Sequence, residues 1–427
     1  MLLPPDLREW VRGDDLAHFI IEAVEGLDTG LAAINERGSG SEQFPPAMMM
    51  GLLLYCYAQG IFSSRRIEAA TYSHLSVRYL AGNTHPDHDP IATFRRVNEE
   101  LVRASFVRVL ELGRELGLLR VGTVAVDGTK LWANASKGAT LSTLQVEEQI
   151  GFLEREVDEL LEKAELADGQ ESDNGGRLPR ELADRAQRRA KLHAAQLALK
   201  EKAEQRAQAA AQERARAKRE GCERPRPQPA QVRPNDTVNT TDMQSTLQPT
   251  AREGFIQGYN AQAAVCVESG LMLAAHVVTD TGDRRQLAPT VAAIAPEVGL
   301  PEAIIADTGY DNAVHILEIE RTTGARVYCA LQPPNRRGRT GTWRKSQRRN
   351  APQRLRQRMA ARLQSEEGRR LYALRKGSVE PVFGMIKSVL GFRRFGLRGL
   401  EKVNIEWQLL GAAFNCRRLA ARRRLQR

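Results

Sequence analysis

The sequence predicts an α/β protein: a mixed β-sheet with a helical region ahead of it and a helical hairpin inserted after its first strand. Three patterns predict this class. Apolar stretches of helical length fill residues 1–120, and two short apolar, strand-like runs end alike, at Asp127 and Asp307, each beside a glycine turn. A charged heptad stretch then separates the first of these runs from the strand patterns that resume near Phe255.

In the N-terminal region, AMMMGLLLYCYAQG and SFVRVLELGRELGLL are broken by Gly-Ser, Pro and Asn turns. Pro45 and Pro46 open the first strong helix, because the first helical turn has no use for the N–H that proline lacks. SSRRIEAATYSHLSVRYLAG and THPDHDPIATFRRV read as short helices carrying Arg65, Arg66, Arg78, Arg95 and Arg96. They suit a helix-turn-helix-like DNA-binding module, or equally the wet face of a small helical bundle.

In VGTVAVDGTKLWA the alternating run Val121 to Val126 forms a strand, and Asp127 emerges at or near its end. Over 141–220 the pattern changes. Val146, Ile150, Leu153, Val157 and Leu160 step by four and three as a heptad seam. After the breaker ADGQESDNGGRLP a second helix runs from about 180 to 220, which gives an antiparallel hairpin. GCERPRPQPAQVRPND opens an extended linker over 221–250. Strands then return. GYNAQAAVCVES and LMLAAHVVTD form a hairpin, RRQLAPTVAAIAPEV a helix, IIADTG a strand, AVHILEIERTTG a helix and ARVYCAL a last strand. The expected domains are therefore 1–120 (helical, DNA-binding), 121–140 with 251–427 (split catalytic domain), 141–220 (hairpin) and 221–250 (linker). This element order matches an RNase H-like fold, in which the strands ending at Asp127 and Asp307 lie side by side.

The 427 residues carry 63 Lys+Arg and 52 Asp+Glu, a net charge of +11, and the distribution says more than the sum. Residues 333–427 hold 26 Lys+Arg against 5 Asp+Glu, while residues 1–332 are net acidic. Trp343, Tyr372, Phe392 and Phe395 are interleaved with the cations, a composition that suits phosphates and bases and predicts binding that weakens with salt. The five cysteines are scattered without a C-x-x-C pair, which supports neither a zinc ribbon nor a disulfide framework. His85 and His88 have no cysteine or further histidine close in sequence and read as loop polar groups. No apolar run reaches the ~20 residues of a membrane span. MLLPPDLREW lacks signal-peptide character, so a cytoplasmic, nucleoid-associated protein is expected.

Glu380 completes a carboxylate set with Asp127 and Asp307. It lies on a helix beside the apolar stripe Val379, Phe383, Ile386 and Leu390. Carboxylates suit Mg²⁺, which is held through one or two of them plus substrate phosphates, and a pair of such ions about 3.5 to 4 Å apart serves in-line phosphoryl transfer.

Asp-Gly-Thr at 127–129, FIQGYNAQAAV at 255–265, ADTGYDN at 306–312 and VEPVFGMIKSVLGFRRFGLRG from 379 together resemble the DDE transposases of bacterial insertion sequences. The resemblance covers nearly the whole chain and is narrowest to the branch with a helical N-terminal domain and a Tyr-Arg-Glu-Lys signature. It implies that Asp127, Asp307 and Glu380 bind two catalytic Mg²⁺ ions, with Mn²⁺ as a substitute. It also implies that Tyr372, Arg375 and Lys387 lie near DNA phosphates, joined by Arg393 and Arg394. The spacing departs from the signature at one point: four residues separate Arg375 from Glu380 where three are usual, so Lys376 competes for that role. Asp280 is the leading supporting carboxylate, with Asp283 and Asp311 close behind. The implied activity is binding of terminal inverted repeats, strand cleavage and strand transfer into target DNA by a homodimer on double-stranded DNA. The alternatives are a stand-alone RNase H-fold nuclease and an inactive relic that only binds DNA.

Overall fold

The computed structural model describes residues 6–33, 43–168, 178–222, 224–251, 253–331 and 353–426. Along the chain come α1 (Leu16–Glu25), α2 (Pro46–Ala58), α3 (Ser64–Ser73), α4 (Leu75–Leu80), α5 (His88–Val97) and α6 (Glu99–Glu115), then β1 (Thr123–Trp132) and β2 (Thr140–Ser142). The long helices α7 (Thr143–Asp168) and α8 (Leu178–Arg219) follow, with β3 (Thr237–Asn239) and β4 (Thr246–Thr250) after them. Next are β5 (Gly254–Cys266), β6 (Met272–Val278), α9 (Leu287–Ala292), β7 (Ala303–Ala306), α10 (Ala313–Thr323) and β8 (Arg326–Cys329). The chain ends with α11 (Gln353–Gln364), α12 (Glu366–Ser378), α13 (Glu380–Gly384), a π-helical turn over Met385–Val389, and α14 (Leu400–Gln426).

Two compact units result. Met1–Trp132 and Tyr259–Arg427 form one, and Ala133–Gly258 the other.

In the first unit the strands lie in the order β6-β5-β1-β7-β8. The β5 and β6 pair is antiparallel, whereas β1, β7 and β8 run parallel. Parallel strands need a covered sheet and read as continuous apolar runs, and Ala303, Ile304, Ile305 and Ala306 of β7 are all buried. The helices of 1–120 pack into this same unit. α14 lies against α1, α2, α6 and β6, with Trp407, Leu410, Phe414 and Leu419 in the core. α2 begins at Pro46, as its prolines predict, and is buried from Met49 through Ala58 because it is apolar on every side.

In the second unit α7 packs on α8. Val146, Ile150 and Leu153 of the predicted seam meet Leu192, Ala195 and Leu199, so the seam is filled from within the chain. The 221–250 stretch is more structured than the predicted linker. β3 pairs with β2, and β4 pairs with the first residues of β5, Thr246 opposite Gly258 through Thr250 opposite Gly254.

The basic stretch holding Trp343 lies outside the described residues. The five cysteines are free and buried. Among the described residues no helix is long and apolar enough to cross a membrane.

Candidate active site

The site is built by one strand register. β1 and β7 pair in parallel from Thr123 opposite Ala303 to Val126 opposite Ala306, so the next residues on the two strands are Asp127 and Asp307. Asp307 follows the last residue of β7, as predicted. β1 continues to Trp132, which puts Asp127 mid-strand, where the pairing with β7 stops. Each carboxylate is anchored by a nearby backbone N–H: Gly128 donates to Asp127 Oδ1 at 2.8 Å and Gly309 to Asp307 Oδ1 at 2.7 Å. Burial, and then the negative charges of Asp307 and Asp283, push Asp127 up to about 6, against the pull of the Gly128 N–H and the Arg375 guanidinium.

Asp283 is the carboxylate that sequence reasoning ranked too low. Its Oδ1 accepts from Asn260 Nδ2 at 2.7 Å and from Gln262 Nε2 at 2.8 Å, and Lys130 Nζ stands 3.6 Å away. Gln262 in turn accepts from the buried Tyr310 hydroxyl at 2.6 Å. Asp280 is exposed and is held by Gln286 Nε2 at 3.1 Å. The amides of Asn260 and Gln262 alternate along GYNAQ in β5, a pattern visible in sequence but without meaning until β5 is placed beside β1.

Gly128 makes that neighbourhood possible. A Cβ at this position would strike Gln262 Nε2 and come within 2.8 Å of Asp283 Oδ1 and 2.9 Å of Asn260 Oδ1. Gly128→Ala is expected to destabilise the protein by about 1 to 3 kcal/mol through overpacking. Urea unfolding measures this, and a variant as stable as the parent would mean the polar cluster can give way.

α12 lies across β1, β7 and β8 and carries Tyr372, Arg375 and Lys376. Of the two cations that compete in the sequence, Arg375 faces the site. Its charge acts on Asp127 and on Cys329, whose thiol donates to the Asp307 carbonyl oxygen at 3.1 Å, and its guanidinium lies 5.9 Å from the Tyr372 ring centre. Lys376 is exposed. Lys387, in the π-helical turn, donates to the Lys130 carbonyl oxygen at 3.0 Å. Arg393 Nε donates to the Lys387 carbonyl oxygen at 3.1 Å, and Arg394 lies 5.5 Å from the centre of the Trp132 ring. The chain after Glu380 is therefore tied along β1.

Glu380 itself opens α13 directly after α12 and is exposed, while Val379, Phe383, Ile386 and Leu390 are buried as their spacing predicts. The fold thus brings Asp127 and Asp307 together and leaves Glu380 at the solvent side. Among the described residues no three acidic, histidine or cysteine groups stand close enough together to hold a metal ion.

Several predicted nucleic-acid contacts have structural roles instead. Phe392 and Phe395 are each 1 % exposed and pack edge-to-face on each other and on Phe62 and Tyr259, so they are not stacking platforms for bases. Arg95 is buried and donates to the Tyr57 hydroxyl at 2.7 Å and to the Phe62 carbonyl oxygen at 2.8 Å. Three arginines of α14 in the basic C-terminal region are also engaged within the fold: Arg417, Arg418 and Arg422 donate to backbone oxygens of Ala58, Ser269 and Glu268. His88 bonds Glu68 at 2.8 Å and His85 stacks on Tyr72, which leaves neither in a metal site.

Comparison with known families gives two matches. The family described as Transposase DDE domain matches residues 227–416, and that described as Transposase domain (DUF772) matches residues 5–97. The chain belongs to the DDE transposases of insertion sequences. No curated protein and no solved structure matches it. Asp307 and Glu380 of the transposase lie inside the first match, and Asp127 lies outside both. The first match takes in strands of both compact units, and the second covers α1 through α5. The family implies DNA binding, cleavage and strand transfer with divalent metal ions. The donor set suits such an ion: two carboxylates in adjacent register, one of them raised by burial and by its acidic neighbours, gain from a cation between them.

Proposed function

We propose that this transposase binds the terminal inverted repeats of its insertion sequence, cleaves a strand at each end and joins the freed 3′-hydroxyl to target DNA, with Asp127, Asp307 and Glu380 as the metal-binding carboxylates. The observation that carries this reading is the β1–β7 register, which sets Asp127 beside Asp307 in a chain matched by two transposase families. The strand order β6-β5-β1-β7-β8 supports an RNase H-like catalytic fold, interrupted between β1 and β5 by the α7–α8 hairpin.

Mg²⁺ is the proposed ion, with Mn²⁺ as a substitute; when bound it activates water or hydroxyl for attack and offsets charge on the leaving oxygen. The chain's own residues do the rest. Asp127, within β1, and Asp307, directly after β7, would hold the ion from adjacent positions of the sheet. Glu380, at the start of α13, would supply the third carboxylate, and the π-helical turn that follows is an irregularity of the kind frequent at functional sites. Arg375, next to Tyr372, and Lys387 supply charge for the phosphates at the cleaved end, while Lys376, Arg393 and Arg394 contact flanking backbone. Asp280 supports the loop after β6 through Gln286. Two ends cut in concert require two copies, so the working species is a homodimer on DNA. Val146, Ile150 and Leu153 of the α7 seam are already filled by α8 and are not open to a second copy. Such a reaction takes place at the nucleoid.

The test is strand cleavage and joining on a labelled duplex bearing the element's end, with Mg²⁺, comparing the parent with Glu380→Gln. Retained DNA binding with a loss of cleavage of about a thousandfold or more, several kcal/mol of transition-state stabilisation, is the expected result. Equal cleavage by the two proteins would remove Glu380 from the site.

A further inference from the structure

Lys130 is the only lysine of β1, three residues beyond Asp127. Its ammonium group is buried without a hydrogen-bond partner and stands 3.6 Å from Asp283 Oδ1, too long for a hydrogen bond but within ion-pair range. That oxygen already accepts from Asn260 and Gln262. The ammonium therefore does not complete a hydrogen-bond network; it supplies charge. A lysine without donor contacts is a poor structural tie, whereas a point charge on a flexible stem can stand near several carboxylates and withdraw from them. Its main chain, by contrast, is fixed, because the Lys130 carbonyl oxygen accepts from Lys387 Nζ at 3.0 Å.

We propose that Lys130 is the resident counter-cation of the Asp127–Asp283 carboxylate cluster, balancing it in the metal-free protein and competing with the first divalent cation that enters. Lys130 is in this sense a positioning residue that acts through charge: Asn260 and Gln262 hold Asp283, and Lys130 offsets its charge and the field at Asp127 until a metal takes over. The inference rests on the reading of Asp127 and Asp307 as metal ligands. Its consequence is a metal site whose affinity is deliberately moderated, so that loading favours the complex in which DNA phosphates add their own negative charge and ligand oxygens.

The test is Mn²⁺ binding to the full-length protein without DNA, followed by titration calorimetry and by the electron spin resonance of the free ion. Lys130→Met should bind Mn²⁺ about tenfold more tightly than the parent, and Lys130→Arg, which keeps the charge, should bind as the parent does. Asp283→Asn should bind about tenfold more weakly, because Lys130 is then left unbalanced beside Asp127. Lys130→Met combined with Asp283→Asn should return close to the parent. Should Lys130→Met not fold, Lys130→Gln carries the same expectation. Binding by Lys130→Met that is unchanged or weaker, or a double variant no better than Asp283→Asn, overturns the role of Lys130. A parent protein whose Mn²⁺ binding is absent, or is insensitive to Asp127→Asn, overturns the metal-ligand reading and this inference with it.

Discussion

Asp127→Asn is expected to abolish strand cleavage and, in the same stroke, to stabilise the metal-free protein at pH 7. Both effects come from one carboxylate held where its charge is costly. Burial and the neighbouring Asp307 and Asp283 raise Asp127 from 3.8 to about 6. The folded state therefore binds a proton that the unfolded state releases over that window, and stability falls as pH rises from about 3.8 to 6. Above pH 6 the full penalty is present, on the order of 3 kcal/mol for a shift of this size. Removing the charge with an isosteric amide should recover much of it, seen as a rise of several degrees in Tm in EDTA at pH 7 and little change at pH 4. A divalent cation reverses the ranking, since it stabilises the parent in proportion to its binding and finds a poorer site in the variant. Tm measured against pH, with and without Mg²⁺, reads all of this. A gain in Tm that is the same at pH 4 and pH 7 would show that the charge of Asp127 is not its source.

Arg95→Ala is expected to cost about 3 to 5 kcal/mol of stability, the range for stripping one partner from a buried ion pair. Arg95 Nη1 lies 3.9 Å from Glu406 Oε1 and donates to the Tyr57 hydroxyl, which itself donates to Glu406 at 3.2 Å. The other oxygen of Glu406 accepts from the backbone N–H groups of Gly396 and Leu397 at 2.8 and 3.0 Å. This network joins α5, α2 and α14 to the chain just past Phe395. Without Arg95 a buried carboxylate, already raised by burial, loses the cation that pulls it back down. Urea unfolding measures the loss, and Arg95→Leu with Glu406→Leu together should recover part of it. An Arg95→Ala protein of parental stability that binds DNA poorly would instead return Arg95 to the DNA-binding surface.

The difference between Arg95 and Arg96 shows where sequence reading stops. Both lie on one short amphipathic helix, and only the approach of α14 with its acidic Glu406 decides that the first is buried and the second exposed. Phe392 and Phe395 present the same problem, because an aromatic set among arginines has the composition of a base-stacking surface until Phe62 and Tyr259 arrive from distant segments to cover it. Asp280 and Asp283 are three residues apart on one loop, and nothing local separates their roles. The choice of Asp283 comes from amides on β5 that are close only in the sheet.

By itself the sequence determined most helices and the two apolar runs that lead into Asp127 and Asp307, because an apolar run followed by an acid and a glycine is a local signal, written within a few residues; it did not show the short strands of 221–250 or the extension of β1 to Trp132. It also determined that α7 carries an apolar seam. Tertiary structure decided which strands are neighbours and therefore that Asp127 and Asp307 share a register, that α8 fills the α7 seam, that Lys130 faces Asp283, and that Glu380 stands at the solvent side. The physical reason is range. Strand and helix periodicity depend on residues a turn or a pleat apart, whereas burial, charge balance and register depend on groups more than a hundred residues away that the chain brings together only when it folds.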